Sequence, residues 1–460
     1  MVLPKLAVGF KLRPKLRRTA EGRSRSTGRR LLRPPPTTGG AVTGGGSHVR
    51  RLSVRSPLAL KRLSHRSRTA ALARLLVLVL VVARLTVLGA GSALASHVGC
   101  GDTITADTTL DSDLVNCPNN GIVIGADHIT LDLHGHTIDG NGELVDPCPE
   151  GESCDVGVDN SAGHSGVTIE GGSIRQFALG VLVLGAGRNS LRHLSVSRNL
   201  FVGIVVGESA RTAVERSSIT RNGVTTQQAG MVLFASHDNR IERNLFSGNG
   251  NRGLLAVESA DGNRVNHNVF ADNPEAGVGI VGDRNQVSHN RVVRNGDNII
   301  VVGDGNTITR NKVADAVGCR AEDGGIGCGF GISLEGGSHN LVARNKVTRA
   351  RYGIRVDAFE GTTVGNVLRA NVVRAAEVDD IAVNFEHVGP VTNTLLVGNI
   401  AIGAGDDGID VESPSTTLTR NVAVHNGDLG IEAVPGVIDG GGNHAAGNGN
   451  PLQCTNIDCK

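Results

Sequence analysis

The stretch DGNRVNHNVFADNPEAGVGIVG, residues 261–282, is followed directly by DRNQVSHNRVVRNGDNIIVVG, residues 283–303, and both follow one pattern. In each, three of the four asparagines are spaced five residues apart and punctuate short β-branched runs, and an apolar run closes the unit. The second asparagine of the pattern recurs at Asn244, Asn268, Asn290, Asn311, Asn345, Asn371, Asn399 and Asn421. A period near 22 residues with occasional insertions indicates a repeat architecture.

Short β-branched runs separated by Gly, Asn or Asp are typical of strands joined by tight turns. The repeat has no 3.6-residue apolar stripe, which disfavours a helical or leucine-rich solenoid. A propeller blade needs about 40 residues and an aromatic signature, and this chain contains no Trp. The pattern therefore predicts an all-β parallel β-helix of about eleven or twelve rungs between residues 121 and 441. We expect the asparagines to stack as a hydrogen-bonded ladder at one corner, in left-handed backbone conformation.

The repeat resembles the right-handed parallel β-helix of the pectin-lyase-like superfamily, especially its NosD-like secreted bacterial members. The opening CGDTITADTTLDSDLVNCPNN, from Cys100, is similar to the N-terminal cap of those proteins. The closing GGGNHAAGNGNPLQCTNIDC is similar to their C-terminal end, so the resemblance covers about residues 100–459. It implies a fold more than a function, because this fold hosts lyases, hydrolases, epimerases, adhesins and accessory proteins.

The first 95 residues differ in character from the repeat. Residues 1–68 contain 18 Lys and Arg against a single acid, and LLVLVLVVARLTVLGAGSALA at 75–95 ends in Ala-x-Ala before Ser96. This order predicts a signal peptide at 71–95 and a protein that begins near Ser96. Arg84 interrupts the apolar run, which disfavours a permanent membrane span. Residues 1–70 are an extended basic region, a nucleic-acid-binding tail or sequence upstream of the true start.

Cleavage at this point would change the charge of the protein. The whole chain has 46 basic and 44 acidic residues, and without residues 1–95 it has 26 basic and 43 acidic. The remaining residues 96–460 are predicted to form a single β-helix domain, secreted or in the cell envelope. An acidic body disfavours nucleic acid as a partner and suits divalent cations such as calcium.

All eight cysteines follow the predicted cleavage point. Eight cysteines allow about 105 pairings, but the short spacings favour local ones over a metal site, which lacks CxxC spacing. The predicted disulfides are Cys100–Cys117, Cys148–Cys154, Cys319–Cys328 and Cys454–Cys459.

Alignment of the rungs on the Gly-Ile-x-Val strand defines two outward positions per rung. In chain order they are Leu255 and Val257, Gly279 and Val281, Ile300 and Val302, Ser333 and Glu335, Arg355 and Asp357, Ala382 and Asn384, Asp410 and Glu412, and Glu432 and Val434. The column is apolar over three rungs and then polar and acidic over five. Insertions at 314–330 and 375–379, and the acidic pairs Asp379-Asp380 and Asp406-Asp407, precede the same strand. Loops beside one strand face predict a binding groove.

The acidic part of the column contains the candidate site. The catalytic candidates are Arg355, Asp357, Asp406, Asp407 and Asp410, and the substrate-binding candidates are Glu335, Tyr352, Asn384, Glu412 and Glu432. Carboxylates one or two rungs apart lie about 5 or 10 Å from each other. At such separations they share acid/base work or a calcium ion, and the alternative is a solvated polar face.

The segment GDDGID, residues 405–410, resembles the paired-aspartate motif of polygalacturonases. The resemblance implies that Asp406 and Asp407 act at a hydrolytic centre, although the Gly-His-Gly and Arg-Ile-Lys partners of that family are absent. The Asp-Pro-His signature of alginate epimerases is absent as well. We predict a secreted β-helix that binds or processes extracellular polysaccharide. The alternatives are a non-catalytic surface or envelope protein and a NosD-like metal-accessory protein.

Overall fold

The computed structural model describes residues 97–145, 148, 153–318, 329–359, 361–384 and 389–460. The predicted leader and signal peptide, residues 1–95, and the predicted Cys319–Cys328 disulfide lie outside the described residues. The described ranges form 44 β-strands, and nearly all of them belong to three long parallel sheets.

Each rung contributes one strand to each sheet in turn. Sheet A contains β1 (Asp102–Ile104), β4 (Ile122–Ile124), β7 (Val156–Asn160), β10 (Leu179–Leu184), β13 (Val202–Gly207), β16 (Met231–Phe234), β19 (Arg252–Val257), β22 (Ala276–Val281), β25 (Asp297–Val302), β28 (Phe330–Glu335), β31 (Tyr352–Asp357), β35 (Ile381–Val383), β39 (Ile409–Val411) and β42 (Ile431–Ala433). Sheet B contains β2 (Thr108–Thr109), β5 (Thr130–Asp132), β8 (Thr168–Glu170), β11 (Ser190–Arg192), β14 (Ala213–Glu215), β17 (Arg240–Glu242), β20 (Arg264–Asn266), β23 (Gln286–Ser288), β26 (Thr307–Thr309), β29 (Leu341–Ala343), β33 (Val367–Arg369), β37 (Leu395–Val397), β40 (Thr417–Thr419) and β43 (Ile438–Asp439). Sheet C contains β3 (Leu114–Cys117), β6 (Thr137–Gly140), β9 (Ser173–Arg175), β12 (Ser195–Ser197), β15 (Ser218–Thr220), β18 (Leu245–Ser247), β21 (Val269–Ala271), β24 (Arg291–Val293), β27 (Lys312–Ala314), β30 (Lys346–Thr348), β34 (Val372–Arg374), β38 (Ile400–Ile402), β41 (Val422–Val424) and β44 (His444–Ala446). A small side sheet pairs β32 (Thr363–Val364) with β36 (Val391–Thr392).

The predicted parallel β-helix is confirmed, but the predicted number of rungs is too low. Each of the three sheets has fourteen strands, where about eleven or twelve rungs were expected. The stack runs from Asp102 to Ala446, beyond the predicted 121–441. One additional rung lies before residue 121, and the N-terminal rungs lack the asparagine pattern of the later ones.

The core is a continuous apolar column inside the three sheets. In sheets B and C the middle residue of a strand points inward, as in the fully buried stack of Val265, Val287 and Ile308 in sheet B. In sheet C the rings of Phe246 and Phe270 stack with centroids 4.8 Å apart. Because each rung buries its apolar side chains only against its neighbours, the strands become stable by stacking.

Asparagine ladders close the corners between the sheets. At the corner between sheets B and C, the Asn268 side chain donates to Asn290 Oδ1 at 3.2 Å and to the Ile241 carbonyl at 2.8 Å. It also accepts from the N–H and the side chain of Asn244. Further asparagine ladders run along the other two corners, for example Asn263 to Asn285 and Asn249 to Asn273. The predicted ladder is therefore confirmed, at three corners rather than one.

The expected left-handed conformation of the ladder asparagines is wrong. The residue before the asparagine adopts it instead, with φ of 55° at His267 and 56° at Arg310. The reason is that the asparagine side chain must point inward to bond turn backbone of the neighbouring rungs. The preceding residue therefore turns the chain, and its own side chain projects into solvent.

Three of the predicted disulfides lie in the described residues, and all three form. They are Cys100–Cys117, Cys148–Cys154 and Cys454–Cys459, with Cα–Cα distances of 5.4, 5.8 and 6.2 Å. Disulfides that close short local loops are typical of proteins that work outside the cytoplasm. Within the described ranges, no helix has the length and apolarity needed to cross a membrane.

Candidate functional site

The column of outward residues on sheet A has the register that the repeat alignment predicted. Ser333 pairs with Arg355, Arg355 with Ala382, Ala382 with Asp410, and Asp410 with Glu432. The apolar part precedes it, through Leu255, Gly279 and Ile300. Parallel strands in a solenoid hold such side chains one above another at the strand spacing of about 4.8 Å. The acidic residues of the last rungs therefore share one face.

This face is not a solvated polar surface. Ser333 and Arg355 are 0% and 3% exposed, and Asp357 and Asp410 are 2% and 8% exposed. Charged groups at such burial are costly unless they are paired or change their protonation state. The column contains both a paired arginine and aspartate and carboxyls whose protonation is shifted.

Arg355 and Asp357 are paired with each other. The Arg355 guanidinium donates to an Asp357 carboxylate oxygen, and both side chains are 3% exposed. The guanidinium carbon of Arg355 also lies 4.3 Å from the centroid of the Phe330 ring, a cation–π contact. These two catalytic candidates thus form a buried ion pair at one end of the acidic face.

The other substrate-binding candidates lie along the same strands. Tyr352 lies 6.0 Å from Phe330 between ring centroids, in a small apolar cluster with Ala382, and burial beside Asp379 raises the pKa of its hydroxyl. At the far end of the strands, Glu335 accepts from the Ser333 hydroxyl at 3.3 Å. There the Asn384 side chain donates to the Glu412 carbonyl at 3.2 Å.

The densest group of carboxyls lies where the last rungs enter sheet A. Carboxylate oxygens of Asp379, Asp406 and Asp407 all lie within 4.8 Å of one another. The turns hold them there, because the Asp407 N–H donates to Asp379 Oδ1 at 3.1 Å and the Leu429 N–H donates to Asp407 Oδ1 at 2.7 Å. Asp410 and Glu432 follow on the adjoining strands. We call these five residues, Asp379, Asp406, Asp407, Asp410 and Glu432, the acidic cluster.

Burial shifts the protonation of the acidic cluster. Burial and a side-chain hydrogen bond with Glu432 raise the pKa of Asp407 well above its usual range. Burial, followed by the charges of Asp379, Glu412 and Glu432, raises the pKa of Asp410 to about 8. Burial also raises the pKa of Asp379 to about 6, against the hydrogen bond from Asp407. At neutral pH the cluster therefore holds protons on carboxyls that lie beside the exposed Asp406.

One atom in the cluster has an unmet hydrogen-bonding capacity. Asp410 Oδ1 is buried and has no hydrogen-bond partner. A buried oxygen without a partner costs about 1–3 kcal/mol, so its position calls for an explanation other than packing. Its carboxyl interacts with those of Asp379, Glu432 and Asp406.

Asp379 was not among the site residues predicted from the sequence, although the Asp379-Asp380 pair was recognised. Its neighbour Asp380 has a different role. Asp380 is fully buried and accepts from the N–H groups of Ala376 and Ile402, at 3.1 and 2.6 Å. It thus satisfies turn backbone, as the corner asparagines do elsewhere. Burial raises the pKa of Asp380 to about 7 despite these two bonds.

Two chemistries suit the acidic cluster. A protonated carboxyl next to an ionised one is the arrangement required for general acid/base catalysis. Several carboxylate oxygens within reach of one point are also what calcium or magnesium prefers. Within the described part of the chain, this is the place where three or more potential metal-ligating side chains converge.

Comparison with known families and structures agrees with the fold. The family described as "Right handed beta helix region" matches residues 156–314, and the family described as "Periplasmic copper-binding protein (NosD)" matches residues 282–448. The comparison with curated proteins finds no match. The two matched regions overlap and together span residues 156–448, so this part of the chain is similar to right-handed β-helix proteins and to NosD.

Several solved structures are similar to this chain at low sequence identity and low TM-score. The A-module of mannuronan C-5 epimerase AlgE4 from Azotobacter vinelandii is 13% identical, with 79% of this chain and 90% of that chain covered and a TM-score of 0.38. The catalytic unit of a GH87 α-1,3-glucanase from Streptomyces thermodiastaticus is 16% identical, with 75% and 62% covered and a TM-score of 0.38. PfbA, a surface adhesin of Streptococcus pneumoniae, is 11% identical, with 78% and 83% covered and a TM-score of 0.34. These similarities concern the fold alone.

Proposed function

We propose that this protein acts on an extracellular polysaccharide at the acidic cluster, as a hydrolase that uses its carboxyls as acid and base. The observation that carries the proposal is the buried Asp407, which is hydrogen-bonded to the half-exposed Glu432 and lies within 4.8 Å of Asp379 and Asp406. Glycosidic bonds are broken between one protonated and one ionised carboxyl. The cluster offers both forms on one face.

The exposure of each carboxyl suggests its role. Glu432 and Asp406 reach the surface, so they are the groups that touch substrate. Glu432 gives a proton to the glycosidic oxygen as the bond from that oxygen to the anomeric carbon breaks. A water held by Asp406 gives its hydroxyl to that carbon and its proton to the carboxylate. Asp407 is 4% exposed and acts as a positioning residue that keeps the proton on the pair.

The remaining candidates fit around this centre. Asp410 lies next to Glu432 on the adjoining strand, and besides burial the charge of Glu432 helps to raise the pKa of Asp410. Arg355 and Asp357 close the other end of the face as a paired group. Asn384, Glu335 and Glu412 are half-exposed and line the approach along the strands, whereas Tyr352 is buried. An acidic face that holds protons repels a uronate polymer less than a fully ionised one would, so polyuronates are the first substrates to test.

The assay follows new reducing ends and unsaturated ends after incubation of the full chain with a panel of extracellular polysaccharides, polyuronates first. We expect new reducing ends from one polymer class. Asp407→Asn keeps the size of the side chain and removes the shared proton, so we expect a rate loss of about 100-fold or more. The pH–rate profile should also lose its upper limb.

The matched control is Asp428→Asn. Asp428 is an exposed acid in the turn one rung further on, outside the acidic cluster, and its variant should retain the wild-type rate. Equal activity of wild type and Asp407→Asn would contradict the proposed role of the cluster. Binding of a polymer without any new ends would instead indicate the non-catalytic surface protein.

A divalent-cation site is the second candidate function of the same cluster. It is favoured by the convergence of Asp379, Asp406 and Asp407 and by the unpartnered Asp410 Oδ1. These ligands are all carboxylate oxygens, which suit calcium, whereas copper prefers histidine, cysteine and methionine. Parallel arms of the polysaccharide assay with added calcium and with chelator distinguish the two, because an acid/base centre without a cation is indifferent to both.

A further inference from the structure

The corner between sheets B and C bears a column of basic side chains that the acidic cluster does not explain. Seven consecutive rungs place a single residue with left-handed φ, between 49° and 57°, directly after the sheet B strand. These residues are His193, Arg216, Arg243, His267, His289, Arg310 and Arg344, and all are exposed. Each backbone N–H donates to a carbonyl of the next rung.

The backbone explains the conformation of this column but not its charge. Left-handed residues are enriched in Asn, Asp, His and Gly, whereas arginine has no special preference for that region. At the same corner two rungs further on, Gly398 takes the position. The turn therefore suits the three histidines, and the four arginines are the residues whose charge it does not explain.

The side chains of the column face one another along the solenoid axis. The imidazole rings of His267 and His289 are stacked, with centroids 4.9 Å apart and planes 5° apart. Burial, then the charges of His267 and Arg310, lowers the pKa of His289. The spacing between the side chains thus follows the rung spacing of about 4.8 Å.

A second basic column runs beside the first on sheet C. Arg291, Lys312 and Lys346 are paired in register on three successive strands, and all are exposed. Residues 96–460 contain only three lysines, and two of them are Lys312 and Lys346. We call the two columns together the basic corner.

Arg310, Arg344, Lys312 and Lys346 form no salt bridge with a described residue, whereas Arg243 of the same corner is paired with Glu242 at 3.5 Å. Salt bridges in the same rungs join other arginines, Arg294 to Asp272 and Arg349 to Asp315, at the next corner. The residues of sheet B that precede the corner here are Ser288, Thr309 and Ala343. Unneutralised positive charge is thus concentrated in one place on a domain whose acids outnumber its bases.

A shallow groove runs along the axis at the N-terminal part of the basic corner. Four corner residues from His193 to His267 form one wall, and Ser195, Ser218, Leu245 and Val269 of sheet C form the floor. Successive rungs extend the line of the groove to Arg291 and Lys312. Such a surface fits an extended polymer laid parallel to the solenoid axis.

We propose that the basic corner binds a linear anionic polysaccharide that bears one carboxylate per sugar. A polymer of this kind presents regularly spaced single charges, which the regularly spaced cations match. Duplex DNA has a denser array, about one charge per 1.7 Å, and single-stranded nucleic acid is usually held by aromatic stacking. The chain has no Trp, and its one Tyr, Tyr352, is buried on sheet A.

This surface is separate from the acidic cluster. The corner joins sheets B and C, so sheet A does not border it. Binding here therefore does not depend on catalysis at the acidic cluster, and the two proposals fail independently. A polymer held at the basic corner would keep the protein on an anionic matrix.

The test couples the full chain to oligogalacturonate whose carboxylates are activated to react with lysine amines, and locates the products by mass spectrometry. We expect coupling at Lys312 and Lys346 well above that at Lys460, the third lysine of residues 96–460, which is exposed at the C-terminus. Binding of labelled oligogalacturonate should weaken steeply with salt. The methyl-esterified oligomer, which lacks the charges, should not bind.

The variant Arg310→Asn/Arg344→Asn removes two cations with a residue that tolerates left-handed φ. It should lower coupling at Lys312 and Lys346 and weaken oligogalacturonate binding about tenfold. The matched control is Arg188→Asn/Arg211→Asn, two exposed arginines with φ of 59° and 58° at the corner between sheets A and B. The proposal would be overturned if both variants lost oligogalacturonate binding equally, or if Lys460 coupled as strongly as Lys312 and Lys346. It would also be overturned if a single-stranded oligonucleotide bound more tightly than oligogalacturonate and lost its binding in the same variant. Coupling at Lys312 and Lys346 should be unchanged in Asp407→Asn. This result would separate binding at the basic corner from polysaccharide cleavage at the acidic cluster.

Discussion

Replacing Asn268 by alanine is expected to lower the free energy of unfolding by about 3 kcal/mol. Its side chain makes two hydrogen bonds as a donor and two as an acceptor, with Ile241, Asn290 and Asn244, and the residue is 1% exposed. Alanine removes these bonds and leaves the Asn244 N–H buried without its partner. Chemical denaturation followed by circular dichroism measures the effect.

The control for this prediction is Asn266→Ala. Asn266 lies two residues earlier in the same rung, but its side chain projects outward and is half-exposed. Its loss should change the free energy of unfolding by less than about 0.5 kcal/mol. If both variants unfolded alike, the ladder would not be the source of corner stability.

The second large effect concerns the buried pair on sheet A. Asp357→Asn leaves the guanidinium of Arg355, 3% exposed, facing a neutral amide. Removing one partner of a buried pair costs about 3–5 kcal/mol. The double variant Arg355→Leu/Asp357→Leu removes both charges and should recover most of that loss, which a double-mutant cycle of unfolding free energies measures.

An exposed pair provides the comparison. Arg294 and Asp272 are 51% and 48% exposed, and their hydrogen bond is 2.7 Å long. Because water screens such pairs, Asp272→Asn should cost less than about 1 kcal/mol. If the double variant lost as much unfolding free energy as the two single variants together, Arg355 and Asp357 would not be a mutually neutralising pair.

The sequence predicted the fold and the register of the site strand because both follow from local pattern. The Gly-Ile-x-Val motif fixes which residues of a strand point outward. Asp410 and Glu432 could therefore be placed one rung apart, as their pairing confirms. The N-terminal rungs lack the asparagine pattern, so the number of rungs was underestimated.

Burial and turn geometry could not be predicted in this way. Asp379 joins the acidic cluster because the Asp407 N–H donates to its carboxylate, and that contact depends on how two turns of different rungs lie against each other. The basic corner was missed for a related reason. Its residues form a column only once the left-handed position is assigned to the residue before the ladder asparagine, as at Arg310.

We infer that the acidic cluster keeps protons at neutral pH because its carboxyls are buried together. The pKa of Asp410 is raised from an ordinary value near 3.8 to about 8. Between these values the folded protein retains a proton that the unfolded chain has lost, so the stabilisation is present below pH 4 and is lost as the pH rises to about 8. Asparagine at this position has no proton to lose.

The most direct measurement compares the unfolding free energies of wild type and Asp410→Asn across this pH range, with Asp428→Asn as the control. The account predicts similar stabilities near pH 4 and a growing advantage of Asp410→Asn as the pH rises, by up to about 1.4 kcal/mol per pH unit. The difference should level off above about pH 8. A difference between the two proteins that stays constant over the whole range would contradict a proton held in the acidic cluster.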